Sequence, residues 1–427
     1  MKLFQQMLVA TAAVGLVAPM AAQASDIINL DGMNDYSSSK SAQKIDSQTF
    51  INQTNEDIAV LKGRVDGLEA QQSNFEAGAF SSTTTLDGKA IMWIGAVDGA
   101  TNIGGAAESA QTGYTYTMNL NTSFTGDDNL YVRLKTGENG GQWSLKETYH
   151  IETKDNSDAL KVDKMWYTFP VGEKVTAFVG PRIENYYMYI TPSIYQPGAL
   201  KSFKLGGNSN FGASTDVGAG FKWEADNGFA FASNLVDKNA DSDGLLSKTS
   251  VNKWDTQVAY TTDRYHVSAT LSNAQNWTSQ SYNATAAAAA MGTSGDTTGV
   301  AYRGYWRPEN SGTATPEISV GYDTKTLDNP TGTAAKAADS YFVGLTWRDM
   351  FQADDRIGLA VTQPLKVTEI NGGGATGEVD PFVWEAYYAF RPNDSMEVRP
   401  AIFGGTDVEN STADDLFGVV VTTEFRF

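Results

Sequence analysis

The chain is 427 residues long, carries a formal net charge of −19 and contains no cysteine. Disulfides, thiolate metal sites and thiol nucleophiles are therefore excluded, and two histidines are too few for a histidine-rich metal cluster, so no cofactor is expected. The acidic balance also argues against nucleic acid as a partner.

Lys2 is followed by the apolar run Leu8–Ala18, too short to span a bilayer, and by Ala22-Gln-Ala24, a small-x-small cleavage site. Residues 1–24 read as a cleaved secretory signal peptide. Residues 25–50 are polar and aperiodic, a linker. Over 51–78 the pattern changes. Ile51, Thr54, Ile58, Leu61, Val65, Leu68, Gln72 and Phe75 fall at alternating spacings of three and four, an a/d seam. The spacing predicts a short α-helical coiled-coil segment in the periplasm. Gly63 and Gly67 each weaken it by about 1 kcal/mol relative to Ala, and so short a helix is marginal alone. Ile58, Leu61, Val65 and Leu68 are then the expected oligomerisation contacts. The alternative is a single amphipathic helix lying on its own domain.

Residues 82–427 alternate short, turn-rich joins such as Gly126-Asp-Asp128 and Asp226-Asn-Gly228 with long connections, of which 183–214 is the longest. Strands are predicted at 83–97, 114–125, 129–137, 159–169, 174–182, 215–225, 228–236, 252–261, 264–274, 298–307, 315–323, 339–348, 356–366, 382–391, 395–404 and 415–427. An even strand number with alternating joins predicts an all-β transmembrane barrel of about 16 antiparallel strands, with tight periplasmic turns and longer external loops. Facing agrees: Val217, Ala219, Phe221 and Trp223 alternate with Asp216, Gly218, Lys222 and Glu224, one row for lipid and one for water. Aromatics near strand ends, among them Tyr131, Trp166, Trp254 and Trp347, suit the membrane–water boundary. The parity of Trp93 and Trp166 stays open, because both faces of their strands are apolar. Ala286–Met291 reads as one or two helical turns inside a loop.

A barrel of this size leaves an aqueous channel. Eleven basic side chains against seven acidic ones fall on the predicted inward faces, so the wall leans basic in an acidic chain. Arg133, Lys222, Arg264, Arg303, Arg348 and Arg399 are candidate pore-lining cations that favour anions. The alternative is that they pair with lumen acids and brace the wall. The connection 183–214 holds Tyr186, Tyr187, Tyr189 and Tyr195, with Arg182 at its base. Rings beside a cation suit a sugar track; the alternative is that they pack the loop. His266 and Ser268 share an inward face, but a spacing of two does not by itself bring them into contact, and no third group orients them. No catalysis is expected.

The last strand puts Phe417, Val419, Val421, Thr423, Phe425 and Phe427 on one face and Gly418, Val420, Thr422, Glu424 and Arg426 on the other. An edge strand of this kind would expose an apolar ladder, a problem that barrel closure in a membrane removes. The tail resembles the closing strand of bacterial outer-membrane barrels, whose terminal Phe is part of their assembly signal. That likeness implies that Phe425 and Phe427 address the outer-membrane assembly machinery.

A second resemblance is more specific. Leu61-Lys-Gly-Arg-Val-Asp-Gly-Leu-Glu-Ala70, followed by Phe80-Ser-Ser-Thr-Thr-Thr-Leu-Asp-Gly-Lys-Ala90, resembles the junction of cyanobacterial outer-membrane porins, most closely the major porins of marine picocyanobacteria, within the carbohydrate-selective porin superfamily. The resemblance implies a homotrimer in the lipid bilayer of the outer membrane. It also makes 183–214 the constriction candidate, since the loop at this position commonly folds inward in porins; Arg182, Tyr186, Tyr187 and Tyr189 are its expected residues. Members usually carry an S-layer-homology domain between signal and heptad. Only the linker 25–50 stands in that place here, so wall anchoring by that domain is not implied and contact with peptidoglycan stays open. The expected function is passive diffusion of ions and small hydrophilic solutes. The first alternative is a carbohydrate-selective channel; the second is a plugged barrel that tethers envelope layers.

Overall fold

The chain divides into two units, Met1–Ser82 and Thr83–Phe427. The structure, a computed structural model of the chain, describes residues 60–65, 83–99, 109–138, 150–190, 193–207, 210, 215–279, 281–310, 314–378, 380–407 and 415–427. In the first unit, residues 60–65 are helical, and Leu61 and Val65 are exposed on them. The signal peptide, the linker, Ile58, Leu68 and the rest of the heptad segment lie outside the described residues.

The second unit is a barrel. Its strands are β1 (Thr84–Asp98), β2 (Gln111–Thr122), β3 (Asn129–Glu138), β4 (Lys161–Val171), β5 (Val175–Glu184), β6 (Thr215–Glu224), β7 (Phe229–Asp237), β8 (Asn252–Thr261), β9 (Tyr265–Gln275), β10 (Thr297–Trp306), β11 (Glu317–Leu327), β12 (Ala335–Arg348), β13 (Arg356–Ile370), β14 (Phe382–Asn393), β15 (Met396–Thr406) and β16 (Leu416–Arg426). Each strand pairs antiparallel with its chain neighbours, and β1 also pairs with β16, from Lys89↔Arg426 to Asp98↔Phe417. Closure leaves no open edge.

All sixteen expected strands are present, with shifted ends. The largest shifts lie where β11, β12 and β13 run further toward the loop end than expected. Residues 335–338, Ala-Lys-Ala-Ala, have poor strand propensity, which hid this extension. There Leu327, Ala338, Leu365 and Val367 pack on the short helix Ala286–Ala290. That helix is capped by Thr285, whose Oγ1 accepts from the Ala288 N–H at 3.3 Å.

The alternation of each strand sorts its residues. Met92, Phe221, Trp254, Val258, Val267, Tyr341, Ile402 and Phe417 stand exposed on the outside. Such a belt is an aggregation surface in water and the solvated face in hydrocarbon. At the opposite end from the long loops, two turns share one device. Asp128 accepts from Ser123 Oγ and the Phe124 and Thr125 N–H groups, each at 2.8 Å, and from Tyr167 Oη at 2.6 Å. Asp355 likewise accepts from the Met350, Phe351 and Gln352 N–H groups and from Tyr388 Oη. A buried carboxylate thus satisfies the turn backbone and ties it to a neighbouring strand.

Candidate functional site

The connection from β5 to β6 crosses the barrel interior. It follows a bulge in β5 between Gly180 and Ile183, after which the strand pairs again as far as Glu184. Tyr189 Oη donates to Asp255 on β8 at 2.6 Å, and the Ile190 backbone bonds the Gln257 side chain at 2.9 and 3.3 Å. Further along, the Ile194 N–H donates to Ser319 on β11 at 3.3 Å. The far anchor is Glu385, which β14 points inward and which is fully buried. It accepts from Tyr195 Oη at 2.8 Å and from the N–H groups of Gly198, Ala199 and Leu200 at 2.7, 3.0 and 2.9 Å. Only glycine fits at 198, where a Cβ would lie 2.2 Å from the Tyr387 ring. Tyr195, Leu200 and Phe203 pack on Phe342, Tyr387 and Phe403 of the wall. On the return leg, the Leu205 carbonyl accepts from Arg303 Nε at 2.9 Å and Asn210 Nδ2 donates to the Thr324 carbonyl at 2.6 Å. The β3–β4 connection enters as well. His150 bridges Leu200, and its Nε2 lies 3.1 Å from Thr422 Oγ1.

Between these loops and the wall formed by β1–β4 with β13, β15 and β16 is a cavity of about 850 Å³. Its lining carries ten Lys and Arg against six Asp and Glu, in a chain whose net charge is −19. The acids are all engaged. Glu397 is surrounded by Arg356 at 2.8 Å, Arg399 at 3.4 Å, Arg426 at 3.7 Å and Arg391 at 3.8 Å. Glu152 and Glu424 share Lys89, each at 3.2 Å. Asp163 pairs with Lys154 at 3.1 Å and Lys164 at 3.8 Å, and Glu184 with Lys164 and the Tyr186 hydroxyl. Asp87 accepts from Asn119 and Asn121. Several cations meet neutral oxygens instead. Arg133 donates to Asn119 Oδ1 at 3.0 Å and Tyr187 Oη at 3.2 Å, and Lys204 donates to Tyr186 Oη at 2.7 Å. Burial pushes the Lys204 ammonium down to about 8; Glu184 opposes this, and Lys201 and Lys164 add to it.

Of the residues singled out from the sequence, Arg133, Tyr186, Tyr187 and Arg399 line this cavity. Six lie off it. Tyr189 is buried against β8. Arg303 is enclosed, bonded to Asp323 at 2.8 Å, and braces the loop. Lys222 and Arg348 stand at the short-turn end, paired with Glu224 at 2.7 Å and Glu317 at 2.9 Å. Arg264 belongs to the β8–β9 turn, beside Glu309 and over the Trp306 ring. Arg182 is exposed at the β5 bulge and donates to the Asp163 carbonyl. Turns and bulges break the period of two on which facing was assigned, and inward residues near strand ends find partners before they reach the channel. Tyr131 and Trp166 are not at a membrane boundary. They are buried inside with Phe178, Ile183 and Trp277, and Trp93 is buried inside as well, because the in-folded loop gives the interior apolar ground to cover.

Lys89 is a lining residue that strand alternation marks, since it shares a face with Ile91 and Trp93. Lys201, Lys204 and Glu152 left no such signal, because loops carry no period. His266 Nε2 does reach Ser268 Oγ, at 2.9 Å. Its Nδ1 meets Thr261 Oγ1 at 2.7 Å, so no carboxylate stabilises an imidazolium, and the pair is buried away from the cavity.

A closed sixteen-stranded antiparallel barrel with an apolar exterior, short turns at one end, long loops at the other and a charged interior narrowed by one of those loops is an outer-membrane porin. The family follows from direct comparison: the model of the carbohydrate-selective porin, OprB family, matches residues 44–424, and the chain belongs to that family. Two relatives are uncharacterized proteins of Synechocystis sp. and Nostoc sp., each 24% identical. The first match covers 81% of this chain and 69% of the relative, the second 87% and 70%. Among solved structures, Pseudomonas putida OprB at high pH aligns with a TM-score of 0.56 at 10% identity, over 81% of this chain and 94% of that one. Vibrio cholerae OmpT lacking loop L8 aligns at 0.51 and 12%, over 81% and 99%. At these identities the structures attest the fold. Family membership reverses the order of the two channel readings and favours the carbohydrate-selective one over a general ion porin.

Proposed function

We propose that the barrel lets small carbohydrates and similar hydrophilic solutes cross the outer membrane by passive diffusion, with the β5–β6 loop setting the narrowest point. The observation that carries this reading is the cavity beside that loop, where tyrosine rings and cations share one wall. Apolar sugar faces stack on rings, and hydroxyls bond the polar groups between them. Liposome swelling with sugars of increasing size, run beside salt conductance, tests it. Swelling that slows with solute size is expected. Salt conductance without sugar entry would return the reading to an ion porin, and the absence of both would indicate a plugged barrel.

The mature form begins after residue 24 in this proposal, Phe425 and Phe427 are read by the assembly machinery, and the 51–78 segment joins three copies. The mass of the detergent-solubilised protein, with and without Leu61→Asp and Leu68→Asp, tests the last point.

A further inference from the structure

Tyr187 presents its ring to the cavity and is 44% exposed. It is backed by other rings. Tyr186 stacks on it at 5.2 Å and 21°, Trp166 lies 5.2 Å behind, and Tyr131 packs on Trp166 at 4.4 Å. Four rings in contact hold this platform rigid. Around it stand cations that form no ion pair with a carboxylate among the described residues. Arg133 bonds the Tyr187 hydroxyl and an asparagine. Lys204 bonds the Tyr186 hydroxyl and lies 4.5 Å over its ring. Lys135 follows Arg133 on the same face of β3 and lines the same cavity, and its ammonium has no ion pair or hydrogen bond among the described residues. The nearby acids have closer partners, Asp163 in Lys154 and Lys164, Glu184 in Lys164 and Tyr186, and Glu152 in Lys89.

A neutral sugar needs a ring face and hydrogen-bond partners; it gives surplus cations nothing to neutralise. A bare inorganic anion needs the cations and gains nothing from an aromatic platform. We propose that Tyr187, Arg133, Lys135 and Lys204 form a binding site for anionic sugars, pyranoses that carry a carboxylate or a phosphate. The ring lies on Tyr187 and the acid group takes charge-assisted hydrogen bonds from Arg133 and the two lysines. This rests on the reading of the channel as one that conducts carbohydrate.

The test is current block in planar bilayers with the purified full chain. The probes are glucose, glucuronate, glucose 6-phosphate and inorganic phosphate. Glucuronate, glucose 6-phosphate or both should interrupt the current at concentrations about tenfold below glucose and below inorganic phosphate, the scale of one charge-assisted bond. Whichever acts identifies the acid group that the site takes. Arg133→Gln and Lys204→Gln should raise the blocking concentration of that probe toward the value for glucose. Equal block by glucose and both anionic sugars overturns the site while leaving the carbohydrate channel intact. Block by inorganic phosphate as strong as by glucose 6-phosphate overturns the role of the platform. If the barrel does not conduct, the channel reading falls separately, and calorimetric titration of the detergent-solubilised protein with the same probes decides the site by the same comparison.

Discussion

Glu385→Gln should release the in-folded loop. The carboxylate takes four donors on two oxygens, with Oε1 serving Tyr195 and Gly198 and Oε2 serving Ala199 and Leu200. An amide keeps one oxygen and turns the other position into a donor. Placed with its oxygen toward Tyr195, it faces two N–H groups with an NH₂. Each buried donor left without a partner costs about 1–3 kcal/mol, so the pinned state loses about 2–6 kcal/mol. The released population rises about 30-fold or more, at 1.4 kcal/mol per factor of ten. Apolar packing of Leu200 and Phe203 against the wall remains, so the loop should fluctuate without leaving the barrel. Hydrogen exchange of the Gly198, Ala199 and Leu200 amides should accelerate by that factor, and single-channel records should show more open-channel noise. Glu317→Gln, at the short-turn rim and bonded to Arg348 and Arg307, is the control and should leave those three amides unchanged. Unchanged exchange at 198–200 in the Glu385 variant, in a barrel shown to be folded, would refute the assignment of Glu385 as the anchor.

Three further outcomes follow from the site and the turns. Raising pH from 7 to 9 should lower the anion preference measured by reversal potential in a salt gradient, since Lys204, pushed down to about 8, loses its charge in that window; Lys204→Gln should start lower and respond less. Asp128 is held well below the usual carboxylate range by the Tyr167 hydroxyl and by bonds from Thr125, Ser123 and Phe124. A depressed carboxyl contributes stability above its unfolded value of about 3.9 and loses it as pH falls toward the folded value. The urea midpoint of Asp128→Asn should therefore lie below that of the parent at pH 7, with the gap closing below about pH 4; a gap that is constant with pH would remove the carboxylate from the explanation. Phe427 stacks on Tyr116 at 5.8 Å and exchanges backbone bonds with Gly88 across the closing seam. Phe427→Ala should lose about 0.5–1.5 kcal/mol of ring contact and reduce the fraction of heat-modifiable, folded barrel in membranes; an unchanged fraction would count against the assembly role.

The barrel was legible because its two signals are local. Period-two alternation and turn-forming joins need no knowledge of distant residues, and β16, with Phe417 and Phe425 out and Thr422 and Glu424 in, shows both. The candidate site was legible only where it sits on strands, at Arg133 and Arg399, and at two tyrosines that composition alone made conspicuous. The Glu385 anchor was out of reach. Its four donors lie 185 to 190 residues away in the chain and three of them are backbone groups, which leave no mark on side-chain pattern. The inward turn of Tyr131 follows from its parity with Arg133, but an apolar ring on a lumen face makes sense only once the loop that covers it is seen to fold inside.

The arrangement around Glu397 explains how a channel can be basic without its cations flying apart. Four guanidinium groups from β13, β14, β15 and β16 converge on one carboxylate. Without it they would repel one another and turn toward water at the short-turn end. With it they stay in place; Glu424 also holds Arg426, at 2.5 Å, so the four guanidinium groups keep an excess of two positive charges over these two carboxylates. Removing this acid should therefore not strengthen anion preference, as a simple sum of charges implies. Glu397→Gln adds one positive charge to the count but dissolves the cluster that concentrates it. Counting charges by face ranks channels by sign, while the placement of a single acid among bases decides whether that sign is felt where solutes pass.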